Sequence, residues 1–118
     1  MDIIFIDNLK VYGILGIHER EQRNPQLIQI SLRAEVDIQN AAVIDDIRQT
    51  VNYSTLAKKV MRFISENRFL TIEALIEKLA MTILENKRIT SLWLRVEKPH
   101  AVPDAQSVGV EITRSNSN

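Results

Sequence analysis

The chain has 118 residues, enough for one domain and too few for two. Hydrophobic residues make up 45% and charged residues 25%, the balance of a folded globular protein. Fifteen basic residues cancel fifteen acidic ones and cysteine is absent, which argues against a phosphate-gripping nucleic-acid binder and excludes disulfides, thiolate catalysis and cysteine-ligated zinc.

Residues Ile3 to Ile17 are rich in β-branched and apolar side chains and read as a strand, with Gly13 and Gly16 as its expected bends or bulges. A polar stretch from His18 to Gln26, ending in Asn24-Pro25, then connects to the clearest pattern in the chain. There Ile28, Ile30, Leu32, Ala34, Val36 and Ile38 alternate with polar residues, so a second strand has one buried and one wet face. Leu56, Val60, Phe63 and Ile64 share a face of a helix expected over about 54–67. Ile72, Leu75, Ile76, Leu79, Ala80 and Ile83 follow helical spacing in a second helix, with Thr71 placed as its N-cap. Leu92, Leu94 and Val96 alternate in a third strand, and Val108, Val110 and Ile112 in a fourth, joined by a loop carrying Pro99 and Pro103.

The order ββααββ predicts an α+β, two-layer domain over 1–114, an antiparallel four-stranded sheet with two helices on one face. Residues 115–118 read as a polar tail that frays. Two open sheet edges invite pairing with another copy, so a homo-oligomer is expected. The short apolar runs and the Met1-Asp2 opening give no membrane segment, and a cytoplasmic protein is the simplest reading.

Side chains that break the pattern carry the chemistry. Lys98 is the next same-face position after Leu92, Leu94 and Val96, so it points toward the apolar side, where a desolvated ammonium is suited to proton transfer. The other reading is that the strand has ended and Lys98 snorkels to water. Glu73 lies in the first turn of the second helix, either as ordinary helix-start chemistry or as a carboxylate fork for two parallel N–H donors. Tyr53 precedes the first helix, and Glu21 belongs to the charge run His18 to Arg23, a pattern that usually marks a solvated loop. Asp45-Asp46 reads as turn and cap chemistry. His18 and His100 are the only histidines, and nothing in their spacing singles out a metal site.

From end to end the chain resembles the dihydroneopterin aldolases. The matching pieces are Ile4-Phe5-Ile6, Gly16-Ile17-His18-Glu19-Arg20-Glu21 with Pro25-Gln26, and Asp45-Asp46 leading to Thr50-Val51-Asn52-Tyr53. Later come Ile72-Glu73-Ala74-Leu75, Glu77-Lys78-Leu79-Ala80, Val96-Glu97-Lys98-Pro99 and Ser107 to Ile112. The resemblance implies the tunnelling fold, in which subunits join their sheets into a tetrameric ring and two rings stack into an octamer, with active sites between subunits. It implies a reduced pterin as substrate and chemistry that needs neither cofactor nor metal. By the same carry-over Glu73 anchors the pterin, Ile72 contacts it through the backbone, and Glu21 holds the trihydroxypropyl side chain. Lys98 handles protons together with Tyr53, which serves a neighbour's site. Ile14-Leu15 before Gly16, His100 and Val102-Pro103-Asp104-Ala105 depart from the pattern of many members, which bears on side-chain selectivity. Dihydroneopterin triphosphate 2′-epimerase, with the same fold, is the competing activity, and a non-catalytic pterin-binding oligomer is the third reading.

Overall fold

The structure is a computed structural model and describes residues 1–116. Strand β1 (Asp2–Leu15) runs into a short helix α1 (Glu19–Arg23), then β2 (Gln26–Val36) and a second short helix α2 (Gln39–Ile44). A 3-10 turn (Ile47–Gln49) leads to α3 (Tyr53–Glu66), the two-residue strand β3 (Arg68–Phe69), α4 (Ile72–Ile83), β4 (Ser91–Lys98) and β5 (Val108–Ser115).

The expected four antiparallel strands are present, but the sheet has five, in the order β3-β1-β2-β4-β5. The extra strand runs parallel to β1, pairing Ile14 with Arg68 and Leu15 with Phe69. Two residues are too few to show a period, so alternation does not announce it. Helices α1 and α2 are likewise additions; neither has a buried residue, hence neither leaves an apolar stripe to read.

The core is one apolar layer between the sheet and the two long helices. Ile28, Ile30, Leu32, Ala34 and Val36 of β2 and Leu92, Leu94 and Val96 of β4 are buried in it. Leu56, Val60 and Ile64 of α3 and Leu75, Ile76, Leu79, Ala80 and Ile83 of α4 complete it. Helix α3 lies over β1, and α4 over β4 and β5. The alternate positions form a polar face, where the Arg33 guanidinium sits 5.5 Å from the Phe5 ring centre and 5.6 Å from that of Trp93.

Both long helices are capped by side chains. Asn52 accepts from the N–H groups of Ser54 and Thr55 at 3.0 and 3.2 Å, and Thr71 accepts from that of Ala74 at 3.2 Å. Tyr53 is therefore the first residue of α3. The cap reading of Asp45-Asp46 holds: Asp45 is left-handed at φ 54 and ends α2, and Asp46 accepts from the N–H of Arg48 at 2.9 Å.

The bulge of β1 falls elsewhere than on its glycines. The register with β2 shifts between Ile6 and Leu9, where Asn8 adopts φ 54 and donates its N–H to Ser31 Oγ at 3.0 Å. Asparagine tolerates that conformation better than most residues, which lets it stand in for glycine. Gly13 stays in register opposite Gln26.

The chain end also differs from the fraying tail expected. Strand β5 includes Ser115, and the Asn116 amide nitrogen donates to the carbonyls of Leu84 at 3.0 Å and Ile89 at 2.7 Å. Residues 117–118 lie outside the described residues. Alanine at Asn116 leaves those two carbonyls without the donor, an expected loss of about 1–2 kcal/mol. A lower urea midpoint is the expected reading; an unchanged midpoint would show that the end does not clamp the α4–β4 connection.

Candidate active site

A cavity of about 590 Å³ opens where the end of β1, α1, the start of α4 and the end of β4 meet. That volume is in the range of small-molecule sites. Its walls include Leu15, Gly16, Ile17, His18, Glu21, Ile72, Glu73, Lys98 and His100. Four of the five residues singled out from the sequence therefore come together from three separate parts of the chain.

Lys98 arrives by strand parity. Leu92, Leu94 and Val96 are buried, and the same face continues into Lys98, whose side chain is 14% exposed. It does not escape to water. Its Nζ donates to Glu21 Oε2 at 2.9 Å, and the Glu21 side chain is 19% exposed. The charge run around Glu21 is thus half solvated and half aimed inward, because α1 turns Glu21 toward β4 while Glu19 and Arg23 pair on the outside.

Glu21 is held by more than the lysine. Its Oε1 accepts from the His18 N–H at 3.2 Å, and its Oε2 accepts from Gln26 Nε2 at 3.2 Å. The Lys98 bond first, with those of Gln26 and His18, outweighs desolvation and lowers the Glu21 pKa from the ordinary 4.5 to about 2. At neutral pH this carboxyl is an acceptor only. Gly16 makes room for it: a Cβ there would fall 2.2 Å from the Glu21 carboxyl carbon, and its φ of +138° already disfavours other residues.

Glu73 stands on the other wall in the first turn of α4. Among the described residues it has no hydrogen-bond or ion-pair partner, so both oxygens are free to accept. Ile72 precedes it, half-buried, and their N–H groups belong to the helix start, where intrahelical acceptors are lacking. Apolar wall is supplied by Leu15, Ile17, Leu70 and Ile72.

Tyr53 does not join this group within the chain. It begins α3, 60% exposed, whereas the far end of that helix leads through β3 to the cavity. The 14 residues of α3 separate the two ends by about 20 Å.

Several cavity residues were not legible as such. His18 and His100, far apart in sequence, both line it. Behind the cavity wall, Gln22 Nε2 donates to the carbonyls of Gly16 at 2.5 Å and Phe69 at 3.2 Å, tying α1 to the end of β1 and to β3. Gln26 Nε2 bonds the Leu15 carbonyl as well as Glu21. A glutamine in a polar stretch gives no periodic signal; only the Pro25-Gln26 motif marked the spot. Among the described residues no cluster of three His, Cys, Asp or Glu side chains is placed to hold a metal ion, and no helix is long and apolar enough to cross a membrane.

The sign of the Glu21 shift sets a pH test. A carboxyl with a depressed folded-state pKa stabilises the fold fully above pH 4.5, and that contribution is lost as pH falls from 4.5 toward 2. Glu21→Gln should flatten the fall in stability across this window, measured by urea unfolding at stepped pH. A slope equal to wild type would show that the pair contributes nothing there.

Comparison with known proteins places the chain in a family. The family model FolB: Dihydroneopterin aldolase matches residues 4–113. The chain is 34% identical to the dihydroneopterin aldolase of Escherichia coli K12, over 99% of this chain and 96% of that one. It is 30% identical to the dihydroneopterin triphosphate 2′-epimerase of Pseudomonas aeruginosa, over 92% and 89%. The crystal structure of the E. coli dihydroneopterin aldolase in complex with neopterin superimposes with a TM-score of 0.94 at 30% identity, covering 98% of this chain and 100% of that one. The match runs over nearly the whole chain, and the chain belongs to the dihydroneopterin aldolase family.

Proposed function

We propose that the cavity binds 7,8-dihydroneopterin and breaks its C1′–C2′ bond, releasing 6-hydroxymethyl-7,8-dihydropterin and glycolaldehyde for folate synthesis. The observation that carries this is the pairing of Lys98 with Glu21 in the same cavity as the unpartnered Glu73. One wall offers a fork of acceptors for a ring edge with adjacent N–H donors, and the other offers an ion pair for hydroxyls and protons.

The ring itself takes the electrons. Its C6=N5 imine receives the pair released as C1′–C2′ breaks, N5 taking up a proton while the 2′-hydroxyl loses its own. The resulting enamine is protonated at C1′ and gives up its N5 proton, which completes the hydroxymethyl product. Lys98 and Tyr53, with an ordered water, carry these protons. Glu21, acceptor-only at neutral pH, grips the side-chain hydroxyls and orients Lys98. Glu73 takes the 2-amino and N3–H donors, with the Ile72 backbone beside it. No metal or cofactor is needed in this scheme.

The distance of Tyr53 from its own cavity supports a site completed by a neighbour. We assign the chain to a tunnelling-fold homo-oligomer, a tetrameric ring or two stacked rings, working in the cytoplasm. The open edges of β5 and of β1 beyond β3 are consistent with sheet continuation between copies.

A second reading is the triphosphate 2′-epimerase, in which glycolaldehyde bearing the phosphates re-adds by its other face. It is favoured by His18, Arg20 and His100, basic side chains lining the same cavity. Comparing turnover of the triphosphate with that of the free alcohol separates the two.

Lys98→Ala should cut turnover by about 10²-fold or more while leaving pterin affinity within a few-fold. Glu73→Ala should instead weaken binding by about 10²-fold, since the paired donors lose their acceptor. Wild-type turnover in the first variant, or wild-type affinity in the second, removes the assigned role. Mixing Lys98→Ala with Tyr53→Phe under subunit exchange should recover about a quarter of wild-type sites, because a shared site needs one good residue from each copy. No recovery would place Tyr53 outside the neighbour's site.

A further inference from the structure

Gln26 opens β2 directly after Pro25, paired with Gly13 of β1 and half-buried. Its amide nitrogen faces two groups that can only accept, the Leu15 carbonyl and Glu21 Oε2, the latter at 3.2 Å. An amide oxygen in that place would confront both acceptors, so chemistry dictates which way the side chain lies. Glu21 Oε2 is also the oxygen that takes the Lys98 ammonium at 2.9 Å.

We propose that Gln26 is a positioning residue for the pterin cleavage, holding Glu21 Oε2 where it orients Lys98 by bridging it to the Leu15 carbonyl. The inference rests on the roles proposed above for Glu21 and Lys98 and adds the group that sets their geometry.

The donors around Glu21 are not equivalent. The His18 N–H lies three residues away at the N-cap of the same short helix, so it ties Glu21 only to its own turn. Lys98 is a point charge on a flexible stem with three rotatable donors, so it follows the carboxylate through many positions. Gln26 ties the carboxylate to the end of β1 and the start of β2, through a planar amide whose two N–H bonds are both engaged. The other end of the bridge is the backbone of Leu15, a fully buried residue at the last position of β1. Gly16 follows, and its missing Cβ is the space the Glu21 carboxyl occupies. Gln26 thus adds a rigid hold to a carboxylate otherwise bonded by its own turn and by the longer, flexible stem of Lys98. The titratable groups that share this cavity with Glu21 are Lys98 from β4, His18 and Arg20 from its own turn and helix, Glu73 from α4 and His100 from the β4–β5 loop.

Gln26→Met keeps length and volume but has no donor; Gln26→Glu keeps shape and turns the donor into a third acceptor. Both are compared with wild type for kcat on 7,8-dihydroneopterin across pH, for affinity toward neopterin, and for thermal unfolding. Neopterin affinity should stay within about three-fold, because Glu73 is untouched, while kcat falls about 10- to 100-fold through misplacement of the reacting groups. The acid limb of kcat should move to higher pH, since a bond that favours the carboxylate form of Glu21 is gone. Wild-type kcat and acid limb in Gln26→Met would overturn the proposal. So would kcat and affinity falling together with the acid limb unmoved, the signature of a packing role. If wild type itself fails to turn over the pterin, the proposed function fails. The bridge is then judged by carbon-13 titration of the Glu21 carboxyl: a higher midpoint in Gln26→Met supports it, and coincident curves reject it.

Discussion

The contact between Lys98 and Glu21 joins two parts of the chain that share no secondary structure, and the cavity takes its shape around it. Neither side chain is free to hydrate fully, and a buried charge left alone is costly. Each therefore requires the other, and each requires its own support. Strand parity along β4 sends Lys98 inward, and the turn into α1 sends Glu21 toward it. Gly16 lacks a side chain because the carboxyl lies where one would be. The wall of the site is in this sense built backward from one ion pair.

The rest of the fold supplies rigidity where the pair needs it. β1 is the longest strand, and its last residues are clasped on one side by β2 and on the other by the two-residue β3. Gly16 donates its N–H to the Phe69 carbonyl at 3.1 Å, and Gln22 reaches both residues. Phe69 stacks on Phe63 of α3, with ring centres 5.7 Å apart, which fastens the segment leading to Glu73 onto the helix layer. The two walls of the cavity are thereby tied to one another through β3. Without that short strand, Glu73 and Glu21 would sit on separately anchored segments.

Periodic features were legible in the sequence and partner choices were not. The alternation from Ile28 to Val36 places β2, and Thr71 before Ile72 places the start of α4, because burial on one face imposes a period on the residues; Ile38, expected to continue the strand, instead caps α2 and is exposed. The same parity argument points Lys98 to the apolar side, but it left two readings open, and only the 14% exposure of its side chain and its bond to Glu21 decide between them. Glu21 shows the limit. Within its charge run it looks like any solvated carboxylate, since its defining partner lies far down the chain on β4. β3, α1 and the bulge at Asn8 were also illegible: all are short, β3 pairs with distant β1 and Asn8 bonds the distant Ser31 hydroxyl, so no local period encodes them. The family resemblance named Glu21 and Tyr53, whereas the residues alone left both as ordinary surface groups.

The most direct test of the central claim is anaerobic incubation of the purified protein with 7,8-dihydroneopterin and EDTA, with the pterins followed by chromatography. The account predicts 6-hydroxymethyl-7,8-dihydropterin and glycolaldehyde in equal amounts, formed without added metal. Formation of the 2′-epimer alone, or unchanged substrate under conditions where the protein binds neopterin, would contradict it.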